Sequence, residues 1–217
     1  MRLGGEPRAF KERGSVTYSS PYDVYLRLPA LLDLQVTVTE PDEEEVHDSE
    51  HLFIAVHQAS ELLAQQALRD LRAVIKLARA YAAPDVIVAP ARRAEALLRQ
   101  IHSLLRLLEH LPSEHFESFR ERLGDASACQ SRQFVQLFQL VKEISLIALP
   151  EPDGILRDGD PELGKELGGL DAAMKDWRVE HWAVAARMIG SDSGTGGTSG
   201  VAYLHGRIEA DEADVAC

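Results

Sequence analysis

The stretch that decides the fold runs from His47 to Ala82, HDSEHLFIAVHQASELLAQQALRDLRAVIKLARAYA. Leu52, Phe53, Val56, His57, Ser60, Leu63, Ala64, Ala67 and Leu68 recur at steps of three and four, and Leu71, Val74, Ile75 and Leu77 continue the period. That is the spacing of one face of an α-helix, so a single long helix is expected, with Asp48 or Ser49 as its cap and Ala83-Pro84 as its end.

Working outward, the same period returns. A Leu- and Arg-rich helix is expected from about Ala91 to His110. A third opens at Ser113, read as its cap, carries Phe116, Phe119, Arg120 and Leu123, and breaks at Gly124. A fourth spans about Ser131 to Leu149, and a fifth about Asp171 to Ile189, ending in Gly190. Residues 150–170 are dense in Gly, Pro and Asp and read as a loop. Before the long helix, Leu26, Leu28, Leu31, Leu32 and Leu34 make one face of a short helix with Pro29 near its start. No stretch alternates like a strand and no segment repeats. The expected fold is all-α, a helical bundle over residues 21–204, with a flexible arm at 1–20 and an acidic tail at 205–217.

Composition narrows the function. The chain has 217 residues and a formal net charge of -12, with acidic runs between Glu40 and Glu45 and between Glu209 and Asp214. Phosphate binding needs clustered Lys and Arg, so no nucleic-acid partner is expected, and the acidic runs read as solvated linker and tail. No apolar run reaches the roughly 20 residues of a membrane span, and the charged start is no secretory signal, so a cytoplasmic protein without a membrane partner is expected. Cys129 and Cys217 suggest no structural disulfide.

The eight histidines are scattered, and neither HExxH nor CxxC occurs, which argues against a standard zinc site. The loop from Gly194 to Gly200 lacks a P-loop's Gly-Lys-Ser/Thr ending and follows a helix, so by itself it is a turn. Two pairs four residues apart, Phe53 with His57 and Phe116 with Arg120, each share a helix face; His181 lies mid-helix on the face of Trp177. Alone, each of these has an ordinary structural reading: a core histidine, or an Arg stem lying along a ring.

Together, and in order, these segments resemble a known family. His47–Leu62 is similar to the HDExLFIxxHQxxEL motif of tryptophan 2,3-dioxygenases, and Phe116–Ser131 to their FxxFRxxLGxxSGxQS. Trp177–His181 with Arg187–Gly190 and Gly194–Gly200 resembles the haem-ligand helix and GTGGSSG loop, and Tyr22–Leu28 the N-terminal YxxYLxL. The resemblance implies a haem b oxygenase with O2 as co-substrate and His181 as the axial ligand of the iron, with Gly194 and Gly196 beside the cofactor. It implies that His57 meets the substrate indole N–H and that Phe53, Phe116 and Leu123 wall an aromatic pocket. Arg120 would grip the carboxylate and Thr195 the polar end of a small aromatic amino acid. Tyr22 and Tyr25 would enter a neighbouring subunit's pocket in a homodimer or homotetramer.

Several positions depart from the family pattern. Leu63, Ala64 and Gln65 stand where the family has Trp-Phe-Lys, Ala128 and Cys129 interrupt its SGFQS, and Pro29 replaces an acidic residue. The connection before the haem-ligand helix and the stretch after the glycine loop are short. The expected reaction is 2,3-dioxygenation of L-tryptophan or a substituted tryptophan to an N-formylkynurenine. The alternatives are monooxygenation of a tryptophan- or tyrosine-derived substrate in a specialised pathway, and a non-catalytic haem or indole sensor.

Overall fold

In a computed structural model of the chain, the structure describes residues 20–124, 126, 130–148, 161–190, 204 and 206, and among them there is no strand. They fall into two compact units that divide between Val36 and Thr37. No helix is long and apolar enough to cross a membrane, and no cluster of three metal-ligating side chains occurs, both among the described residues.

The first unit holds α1 (Pro21–Leu26) and α2 (Leu28–Leu31). The expected single helix is broken at Arg27, which has φ 55°. The hydroxyl of Ser20 accepts the Asp23 N–H and starts α1, while Pro29 restarts the chain in the first turn of α2. Neither helix contains a buried residue, so the leucine face read from the sequence is not core.

The second unit is built on α3 (Glu44–Arg79), followed by α4 (Pro84–Arg106), α5 (Ser113–Arg120), α6 (Arg132–Ile147) and α7 (Pro161–Ile189). At 36 residues, α3 spans about 54 Å. It starts earlier than the expected cap at Asp48 or Ser49. Glu44 and Glu45 occupy its first turn, where carboxylates favour the positive end of the helix dipole, so the acidic run is partly helix and not all linker. Glu50 is buried and accepts the backbone N–H groups of Val38 (2.7 Å) and Thr39 (2.8 Å), tying the incoming chain to the helix.

Two prolines read as breakers are helix starts. Pro84 opens α4 and Pro161 opens α7, positions where a missing N–H costs nothing. The expected loop at 150–170 is therefore helical from Pro161 onward. Leu163, Leu167 and Leu170 give it a buried stripe at helical spacing. Ser113 is the first residue of α5 and not its cap, and a short 3-10 turn at Glu121–Leu123 follows that helix. Ser131 does cap α6, accepting the Phe134 N–H at 3.2 Å. Gly190, at φ 55°, ends α7.

The packing has a clear asymmetry. α4 lies between α3 and α7 and packs along both. Ala64 and Ala67 on α3 and Ala91 and Ala94 on α4 are fully buried, small enough to bring backbones close. α4 and α7 run parallel, as their cross-links show: Arg92 with Glu162 (2.6 Å) and Glu166 (3.0 Å), Arg99 with Asp176 (3.6 Å), His102 with Glu180 (3.4 Å), and Arg187 onto the Leu111 (3.0 Å) and Leu108 carbonyls. α5 and α6 also touch both α3 and α7, yet α3 and α7 make no extensive contact with each other. The two longest helices are thus bridged by α4, α5 and α6 and not packed along each other.

Candidate functional site

On α3, Phe53 and His57 sit one turn apart with ring centroids 4.1 Å from each other. α5 brings Phe116 to 5.7 Å and Phe119 to 5.5 Å of Phe53, and Phe116 meets Phe119 edge-on at 5.3 Å. Phe119 is fully buried and forms the floor, whereas Phe53, His57 and Phe116 are half-buried and keep open surface. A hydrogen bond from α3 to α5, between Ser49 Oγ and His115 Nδ1 (2.8 Å), fixes this arrangement.

His57 has a defined tautomer. Its Nδ1 lies 2.7 Å from the Phe53 carbonyl oxygen, which can only accept, so Nδ1 carries the hydrogen. Nε2 is left as a lone pair. Burial pushes the ring's pKa below the usual histidine value, while the Phe53 hydrogen bond and the Glu61 carboxylate oppose that shift. The net direction is down, so at neutral pH His57 is a neutral acceptor.

His181 stands mid-way along α7, stacked on Trp177 at 4.9 Å with the planes 9° apart. Trp177 is in turn wedged against Phe134 (4.9 Å) and Phe138 (5.7 Å) of α6, and Arg178 lies 4.5 Å above Phe138. This packing fixes the imidazole plane. Burial, reinforced by the proximity of His57, holds the His181 pKa down at about 4. Neither ring nitrogen has a hydrogen-bond partner among the described residues. A neutral imidazole with an unused lone pair is a group that can ligate a transition-metal ion.

The other expected residues are placed unevenly. Arg120, the last residue of α5, lies one turn beyond Phe116 and is half-buried, and Leu123 packs partly buried against the core. Tyr22 and Tyr25 belong to the first unit and are 64% and 85% exposed. Thr195, Gly194 and Gly196 lie outside the described residues, as do most of the arm and the tail. A cavity of about 260 Å³ between α6 and α7, lined by Phe138, Val141, Ser145, Met174, Lys175 and Arg178 among others, contains none of the histidines. It lies beside Trp177 but carries none of the site's donors, so it is not the reaction chamber.

The sequence placed Trp177 on the face of His181 without giving it a role, and Phe119, Phe134 and Glu61 were not expected at the site. The i, i+4 spacing of Trp177 and His181, and of His57 and Glu61, was the available signal. That α6 backs the Trp177 ring is a long-range contact with no local trace.

The fold and site together define an all-helical protein in which two long helices each carry a neutral histidine beside packed aromatic rings. A family model described as tryptophan 2,3-dioxygenase matches residues 9–145 and 159–215. A tryptophan 2,3-dioxygenase of Nocardioides sp. is 31% identical over 263 aligned positions, covering 92% of each chain. One from Burkholderia ambifaria is 26% identical, covering 88% of this chain and 80% of the relative. A third, from Burkholderia pseudomallei, is 27% identical over 95% of this chain and 86% of its own. The chain belongs to the tryptophan 2,3-dioxygenase family.

Proposed function

We infer that this chain is a haem-dependent oxygenase that converts L-tryptophan, or a ring-substituted tryptophan, and O2 to the corresponding N-formylkynurenine. Both oxygen atoms enter the product at the cleaved indole C2–C3 bond, and the two bonding pairs of the double bond supply the electrons, so no external reductant is consumed. The observation that carries this reading is the fixed tautomer of His57. A neutral Nε2 acceptor beside an aromatic wall suits an indole N–H, and a neutral His181 faces it from the other long helix.

The residues present fit haem. His181 would hold the iron through its free imidazole nitrogen, its ring plane set by Trp177. When bound, haem supplies the binding and activation of O2. The chain's own residues do the rest. Phe53 and Phe116, already packed on each other, wall and desolvate one side of the indole, Phe119 backs that wall, and His57 orients the ring through its N–H. Arg120, with a planar two-point fork, takes the substrate carboxylate, and Thr195 the polar end of the amino acid. Leu123 completes the apolar wall. Gly194 and Gly196 are assigned to the cofactor.

We also assign Tyr22 and Tyr25 to an interface with a second copy of the chain, giving a homodimer or homotetramer. Two adjacent, largely exposed tyrosines are the amphipathic anchors that interfaces favour. Light scattering is expected to give at least a dimer, and a fully active monomer would contradict the assignment.

The test of function is product mass with haem-loaded protein, tryptophan and isotopically labelled O2. Two labelled oxygens in a ring-opened product are expected. One labelled oxygen in a ring-closed product would make the enzyme a monooxygenase. His57→Ala should lose one neutral hydrogen bond, about 0.5–1.5 kcal/mol or roughly two- to twelvefold in kcat/KM, with a smaller defect on 1-methyltryptophan, which has no N–H to offer. An inactive variant with intact haem loading would mean that His57 moves a required proton.

A further inference from the structure

Glu61 extends the stripe of Phe53 and His57 by one more turn, at the same four-residue step. Helical side chains lean toward the N-terminus, so Glu61 leans toward His57. Its carboxylate is not left to swing in solvent. Gln133 Nε2 donates to Glu61 Oε2 at 2.7 Å and to the Glu61 backbone carbonyl at 2.9 Å. Gln133 in turn is held in the first turn of α6, whose start is set by the Ser131 cap. A negative charge is thereby pinned one turn from the His57 imidazole by groups of two helices, and no role assigned to the other residues uses it.

Resting on the reading of His57 as acceptor of the indole N–H, we propose that Glu61, fixed by Gln133, is a positioning residue that strengthens His57 Nε2 as a hydrogen-bond acceptor. A carboxylate near an imidazole raises the ring's basicity, and a more basic nitrogen accepts a stronger hydrogen bond. Burial works in the opposite direction on the same ring, and Glu61 offsets part of it. Among the described residues, Glu61 acts on His57 from its own helix, and His57 and His181 of α7 are within electrostatic reach of each other. α5 turns Phe116 and Phe119 toward Phe53, the ring that packs on His57, with Arg120 at that helix's end, and α6 contributes the neutral Gln133 amide at Glu61. A pinned carboxylate gives the pocket a polar acceptor of set strength without putting a charge against the substrate ring.

The test compares holoenzyme with Glu61→Gln, which keeps shape and drops the charge, and with Glu61→Asp, which keeps the charge. Glu61→Gln should raise KM for tryptophan about two- to fivefold, a fraction of one neutral hydrogen bond, with kcat little changed. KM for 1-methyltryptophan should not move, and Glu61→Asp should recover part of the loss. By NMR, the His57 ring in Glu61→Gln should titrate at lower pH than in the parent, so the variant keeps more of its plateau kcat/KM on the acid side. An unmoved His57 titration, with His57→Ala still impairing tryptophan, would overturn the role of Glu61 alone. Equal KM increases on both substrates would overturn it too, since a merely structural defect acts on both. If His57→Ala leaves kcat/KM for tryptophan unchanged, the acceptor role itself falls and the proposal with it.

Discussion

The two sides of α3 and α7 are built on opposite rules. Toward α4 they close with alanines and ion pairs: Ala64, Ala67, Ala91 and Ala94 have no exposed surface, and Asp70, itself buried, takes Arg93 at 2.5 and 2.9 Å. Glu95 lies so close to Gly169 that a Cβ there would come within 2.6 Å of its carboxylate. Away from α4 the same helices carry Phe53, His57, Trp177 and His181, with three of these rings half-buried and both histidines forced neutral. The first side pairs its buried Asp70 and Glu166 with arginines of α4. The second leaves two lone pairs and an aromatic wall unsatisfied, which is the composition of a surface meant for a ligand. One seam supplies rigidity so that the other can stay open.

The largest expected effect that separates the two sides is acid sensitivity. In haem-free protein His181 must remain neutral in the folded state but protonates freely when unfolded. Its folded pKa of about 4 against an ordinary 6.5 means that stability present above pH 6.5 is lost as pH falls toward 4. The full loss is up to about 3 kcal/mol. Urea titrations at pH 7 and pH 4.5 should show His181→Gln less acid-sensitive than the parent; equal sensitivity would mean the ring is not held neutral.

Next comes Arg120→Lys, which keeps the charge but loses the fork. Tryptophan binding should weaken by about 1.5–3 kcal/mol, while indoles lacking a carboxylate bind both forms alike. Calorimetry showing unchanged tryptophan affinity would move the carboxylate site elsewhere. On the closed side, Ala94→Leu should cost about 1–3 kcal/mol of stability by overpacking the seam, yet leave haem affinity of the folded fraction intact. A haem defect without a stability defect would reverse the roles assigned to the two sides. The smallest effect is Ser131→Ala, about 1 kcal/mol from a lost cap, read by thermal unfolding.

Much of the fold was legible because α3, α4 and α6 bury one continuous face, and the period of that face is local information. His57, Phe53 and Phe116 were legible by their spacing within recognisable motifs. What escaped was non-local. Pro84 and Pro161 look like stops until a partner helix makes a helix start there worthwhile, and Gly164, Gly168 and Gly169 look like loop until α7 is seen lying against α4. The break at Arg27 has no signal in its own residue type. The pairing of Glu61 with Gln133 joins residues 72 positions apart, so no window of sequence contains it.

The central claim, that the open side of α3 and α7 is a haem site held through His181, is tested most directly by optical titration of the purified chain with haem. Parent protein should give the Soret band of a histidine-ligated haem, and His181→Ala, shown to be folded by circular dichroism, should abolish or strongly shift it. A folded His181→Ala variant with an unaltered histidine-ligated spectrum would contradict the account.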